Sequence, residues 1–90
     1  MTDKFEVILV SQALKFYKHC PVDFVERLNK CFETLEINPF FGPNIKLLKN
    51  EGKRYRYRIG DYRVIYTIDK NAKNVVVVLI SSRPSAYRNL

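Results

Sequence analysis

Hydrophobic positions along the chain keep a strand period, pass to a helical one, and return to a strand period. Phe5 to Val10 (FEVILV) is an apolar, β-branched run that predicts a strand. Ser11 is placed to cap a short helix over Gln12–His19, and Pro21 breaks the chain after it. From about Asp23 to Glu36, Phe24, Leu28, Cys31 and Leu35 recur at spacings of four, three and four, which is one helical face. Val25 and Phe32 widen that stripe. NPFFGP, Asn38 to Pro43, ends the helix with two prolines and a glycine. Two helices joined by so short a break predict an αα-hairpin.

Ile45 to Leu48 is short and apolar and reads as a loop or half-turn leading into a sheet. Strands are expected over Tyr55–Ile59, Tyr62–Ile68 and Val75–Ser81. The last of these, VVVVLIS, is apolar on both faces, as a central strand should be. Asp69 to Asn74 is a polar hairpin loop, and one more helical turn is expected after Arg83-Pro84. The chain reads as a single domain over residues 1–90 of α+β class. Its order is β-α-α-β-β-β: a small, antiparallel-rich curved sheet with an N-terminal helical hairpin packed on one face.

Gly60-Asp61, with glycine first, suits a two-residue type II′ turn and thereby sets a register. Ile59 then faces Tyr62, Arg58 faces Arg63, Tyr57 faces Val64, and Tyr55 faces Tyr66. One face collects Tyr55, Tyr57, Ile59, Tyr62, Val64 and Tyr66, the side expected under the helices. The other collects Arg54, Arg56, Arg58 and Arg63, with Ile65 and Thr67 among them. Directly opposed arginines repel, and only Asp61 and Glu51 lie near enough in sequence to compensate. Every basic residue from 54 to 63 is arginine, whose planar fork grips phosphate in a way that lysine cannot.

Composition agrees with an anionic partner. Lys plus Arg is 16 against 9 Asp plus Glu, a formal charge of +7 with a pI near 9.6, which favours nucleic acid, an anionic membrane or an acidic protein. Cys20 and Cys31, eleven apart with a single histidine, His19, read as free thiols rather than a zinc site. His19 closes the first helix and reads as a surface or capping residue. No apolar run approaches the roughly 20 residues of a membrane span, and the N-terminus lacks the features of a signal peptide, so a cytoplasmic protein is expected. A second basic and aromatic cluster, Arg83, Tyr87 and Arg88, follows the central strand. Charge for phosphates beside a ring for a base is a single-stranded nucleic-acid pattern.

These segments resemble the RelE/ParE toxin superfamily of type II toxin–antitoxin systems over nearly the whole chain. SQALKFYKHCPVDFVERLNKCFETLEINP is similar to the family's helical hairpin with its closing Leu-x-x-Asn-Pro. IKLL followed by YRYRIGDYRVIYTID is the most specific match, and SRPSAYR resembles the terminal Arg-x-x-x-Tyr. In the mRNA-cleaving branch, the resemblance assigns catalytic roles to Arg56, Arg58, Arg63, Arg83 and Tyr87, with Lys53, Arg54 and Arg88 as further RNA contacts. It implies a metal-independent, cofactor-free endoribonuclease that cuts messenger RNA in the ribosomal A site. It also implies an acidic antitoxin as partner, with operator DNA bound only through that complex and no membrane. Where many relatives carry a lysine and a histidine, this chain has Arg58 and Ser82. The same scaffold also hosts inhibitors of DNA gyrase, and a non-catalytic RNA- or ribosome-binding module would carry the same charge.

Overall fold

The computed structural model describes residues 4–48 and 52–82. Seven elements follow in order: β1 (Glu6–Leu9), α1 (Ser11–His19), α2 (Val22–Ile37), β2 (Ile45–Leu48), β3 (Arg54–Ile59), β4 (Tyr62–Asp69) and β5 (Asn74–Ser81). The strands form one mixed sheet in the order β1-β5-β4-β3-β2. Only β1 runs parallel to its neighbour, β5; the other pairings are antiparallel. The fold is therefore α+β as expected, and the apolar strand β5 is central, flanked by β1 and β4.

Two local expectations are corrected. Ile45–Leu48 is not a loop but the edge strand β2, pairing Ile45 with Tyr57 and Lys46 with Arg56. Its sequence hid this, because Leu47 and Leu48 are both apolar and break the alternation by which a strand is recognised. Ser11 is not the cap of α1 but its first residue; Val10 takes the cap position with extended backbone and no side-chain bond. Val10 serves two elements at once. Its N–H donates to the Val77 carbonyl at 3.0 Å, prolonging β1, while its carbonyl accepts from Leu14 N–H at 2.8 Å, starting α1. A strand that runs into a helix through one shared residue leaves no loop for a separate capping side chain.

The helices cover one face of the sheet. Ala13 from α1 and Phe24, Leu28, Cys31 and Leu35 from α2 meet Ile59, Val64, Tyr66, Val75, Val77 and Ile80 from the strands, all buried. The 4-3-4 spacing of α2 is what brings its four residues onto that seam. Phe24 lies against Tyr62 with ring centroids 4.1 Å apart, and Tyr55 stacks on Tyr66 at 5.5 Å. The Tyr66 phenol donates to the Pro39 carbonyl at 2.8 Å, pinning the Asn-Pro loop to the sheet. Burial, with smaller contributions from Cys31, Tyr55 and Tyr57, holds that phenol well above the ordinary tyrosine range.

Two devices shape the end of the sheet where β3 turns into β4. The register of β4 on β5 shifts between Ile65 and Tyr66, so that Ile65 faces Leu79 while Tyr66 faces Val77. Val78 is the extra residue of this bulge, which lets Val77 and Ile80 both reach the helical side. The Gln12 side chain then grips Ile80 from both sides, its Nε2 donating to the Ile80 carbonyl at 3.3 Å and its Oε1 accepting from Ile80 N–H at 3.2 Å. Gln12 thus stands in for a strand partner beyond the end of β1. It fixes the segment that lies beside Arg63, whose cross-strand neighbour is Ser81.

Candidate nucleic-acid interface

The hairpin register is the one the sequence predicts: Ile59 pairs with Tyr62, Arg58 with Arg63, Tyr57 with Val64 and Tyr55 with Tyr66. Gly60 supplies the positive φ of 56° that a type II′ turn requires at its first central position. Arg54, Arg56, Arg58 and Arg63 consequently occupy the sheet face away from the helices. Pairing extends this face sideways in two rows, Lys46–Arg56–Ile65–Leu79 and Arg58–Arg63–Ser81. Lys46 was not legible as part of the surface, because its position there depends on β2 being a strand.

The face is not a simply solvated one. Ile65 lies on it yet has 0% exposure, and Leu48, paired with Arg54, is also buried. Arg54, Arg56 and Arg63 are half-buried, while Arg58 is exposed. Arginine stems therefore lie along an apolar floor, as long charged side chains do when they cover hydrophobic surface. Arg58 Nε donates to the Gly60 carbonyl at 3.1 Å, which anchors that guanidinium at the turn.

Arg56 and Arg63 differ from Arg58 in one respect. Arg56 Nε, Arg63 Nε and Arg63 Nη1 are each buried and have no hydrogen-bond partner among the described residues. Leaving a buried donor unpaired costs about 1–3 kcal/mol, and more when the group is charged. Within the described residues, none of the four arginines forms an ion pair. Asp61, in the turn two residues before Arg63, makes no ion pair with them among the described residues, and Asp69 and Glu6 are aligned through Asn74 at the other end of the sheet. Six residues of strand separate Arg63 from Asp69, roughly 20 Å. That exceeds the screening length of about 8 Å at physiological ionic strength. Among the described residues the face thus holds guanidinium donors that no carboxylate pairs with, which is chemistry suited to gripping a phosphate.

The other sequence-predicted residues divide cleanly. Lys53 is exposed and immediately precedes β3. Arg83, Tyr87 and Arg88, the predicted last helical turn, and Glu51 lie outside the described residues. Ser82 closes the described chain just past β5. His19 sits exposed at the end of α1, one of the helices on the face of the sheet opposite the arginines. Among the described residues no three His, Cys, Asp or Glu side chains gather into a metal-sized group. No helix among them is long and apolar enough to cross a membrane.

Comparisons with known proteins bear on this geometry. The family described as the ParE toxin of the parDE type II toxin–antitoxin system matches residues 7–87. A curated protein of Methanocaldococcus jannaschii, named as a candidate toxin RelE1, is 34% identical over 88 residues, covering 96% of this chain and 98% of its own. Among solved structures, a mutant of Escherichia coli RelE in the free state superposes with a TM-score of 0.78 at 17% identity, covering 93% of this chain and 88% of that one. RelE from the archaeal RelE–RelB complex of Pyrococcus horikoshii superposes with a TM-score of 0.73 at 25% identity, covering 92% and 99%.

Proposed function

The chain belongs to the RelE/ParE superfamily of toxins from type II toxin–antitoxin systems, and on that premise we propose that it is a ribosome-dependent endoribonuclease cutting messenger RNA in the A site. The observation that carries this reading is the set of buried, unpartnered guanidinium donors of Arg56 and Arg63 on one sheet face. A scissile phosphodiester supplies the anion they lack.

In the proposed reaction the message's own 2′-oxygen forms a bond to the adjacent phosphorus as the bond to the 5′-oxygen breaks. The products are a cyclic phosphate and a 5′-hydroxyl. Negative charge grows on the non-bridging oxygens in the transition state, and fixed guanidinium donors stabilise it. Arg56 and Arg63 hold the phosphate, and Arg58 approaches from the turn. Guanidinium groups stay protonated throughout and cannot take the proton from the 2′-hydroxyl, which passes to solvent water. Arg83 and Tyr87 are proposed to complete the site, the phenol donating to the leaving 5′-oxygen. With no lysine at position 58 and no histidine at position 82, alignment by the ribosome carries more of the catalysis. A cognate acidic antitoxin, folding as it binds, is the proposed inhibitor of the arginine face. The Pyrococcus horikoshii relative was solved with its RelB partner.

Mapping message 5′ ends in a translating lysate tests the reaction. The wild-type protein should produce codon-phased cuts, and Arg63→Ala should reduce them by about 10²–10³-fold while remaining folded. Absence of cuts with the wild-type protein overturns the reading. A second reading, inhibition of DNA gyrase, draws on the match to the ParE family and on Ser82 in place of histidine. Loss of plasmid supercoiling by purified gyrase, without message cleavage, would select it.

A further inference from the structure

We infer that the cleft between α2 and the β3–β4 turn is a second phosphate-binding site, holding an RNA phosphodiester neighbouring the one gripped by Arg56 and Arg63. The inference rests on the RNA reading above but concerns Arg27 and Lys30, to which that reading gives no role. The cleft measures about 270 Å³ and is lined by Arg27 and Lys30 from α2, Arg58 and Tyr57 from β3, Asn44 and Gly60. That is smaller than the roughly 300–1,000 Å³ of pockets that enclose a drug-sized molecule. It suits a phosphate with part of its sugar.

Three cations reach this cleft from two elements, and none of its described lining residues is acidic. Arg27 and Lys30 are three residues apart, hence neighbours on one helical face. The Arg27 guanidinium carbon lies 5.7 Å from the centroid of the Phe24 ring, which orients the fork. A Cβ on Gly60 would come within 3.1 Å of Arg27 Nη2, so the bare turn leaves room for this guanidinium. On the other side of the same glycine, Arg58 Nε holds its carbonyl. Two guanidinium groups are thus fixed around one turn residue, and among the described residues no hydrogen bond from the Nη nitrogens of either is formed. The Tyr57 side chain and the Asn44 amide add a ring edge and a neutral donor for the sugar.

An acidic peptide would also suit these charges. RNA is favoured because Arg58 belongs both to the cleft and to the arginine face. A single strand whose scissile phosphate sits at Arg56 and Arg63 has a continuous basic path past Arg58 to Arg27 and Lys30.

The test is the salt dependence of binding of a short, non-cleavable single-stranded RNA to the full chain. Each phosphate contact adds about 0.7 to the slope of log affinity against log salt for single strands. Arg27→Gln with Lys30→Gln should lower the slope by about 0.7, and Lys30→Gln alone by a part of that. Lys30 is an exposed helix residue, so the single variant remains informative if the double variant is unstable. An unchanged slope in a folded variant overturns the proposal. So does loss of acidic-peptide binding with the RNA slope intact, which would assign the cleft to a protein partner. A lowered slope in a protein that makes no cuts would leave the second site standing and remove the nuclease reading.

Discussion

The two faces of the sheet use the same strands in opposite ways. Under the helices, alternate residues of β3 and β4 are aromatic or aliphatic, and the buried Tyr66 phenol has its acceptor in Pro39. On the far side, the intervening residues bury guanidinium nitrogens whose hydrogens find no acceptor among the described residues. The first face behaves as a finished core. The second has the form of a binding surface awaiting an anion, carried at some cost to stability. The rigid core holds each arginine at a fixed register, and that lets a small protein place charge accurately.

The contrast can be broken from the core side first. Leu28 is fully buried at the centre of the helical face, so Leu28→Ala should lower unfolding free energy by about 2–5 kcal/mol in chemical denaturation. Cleavage per folded molecule should be unaffected. A fall in specific activity with little loss of stability would show that the two faces are not separable.

Alkaline titration should distinguish the faces next. Burial holds the Cys31 thiol and the Tyr66 phenol above their ordinary values in the folded protein. For such groups the folded state keeps a proton that the unfolded state releases, so their stabilising contribution is complete below the unfolded pKa. It is lost as pH rises past roughly 8.5 for the thiol and 10 for the phenol. The decline should reach at most about 1.4 kcal/mol per pH unit for each group. Guanidinium charge persists over that range, so the arginines' contribution to RNA affinity should hold in the still-folded fraction. Stability that is flat to pH 11 or so would contradict the assignment.

Tyr66→Phe removes the phenol and leaves the Pro39 carbonyl without its donor, for an expected loss of about 1–3 kcal/mol and no change in RNA binding. The smallest effect is expected from the opposite face and with the opposite sign. Arg56→Met keeps much of the stem that lies beside Ile65 while deleting an unpaired buried donor. It should raise stability by up to about 1 kcal/mol and weaken RNA binding. Thermal melting checks both variants, and destabilisation by Arg56→Met would mean that its guanidinium is satisfied in solution.

Much of this organisation is legible in the chain itself, for local reasons. The α2 seam follows from residue spacing, and the hairpin register follows from one Gly-Asp turn that commits every side chain of β3 and β4 to a face. The rest depends on tertiary contact. Strand β2 is an edge of four residues without alternation and is defined only by its partner. The bulge at Val78 is invisible inside a run of valines, where each register looks alike. Ile65 reads as an exposed member of the arginine face, and only the folded sheet shows it buried. Arg27 and Lys30 gain their meaning from the approach of α2 to Gly60, although their helical spacing of three was a usable signal. Lys46 joins the basic surface only once β2 is in place.

The central claim is that Arg56 and Arg63 bury donors meant for a phosphodiester. Its most direct test is to follow the Nε–Hε resonances of both arginines by NMR while the full chain is titrated with a short, non-cleavable single-stranded RNA. The account predicts that both signals shift together, exchange more slowly with water in the complex, and return towards their free positions as salt is raised. Saturated RNA binding with both resonances unmoved would contradict it.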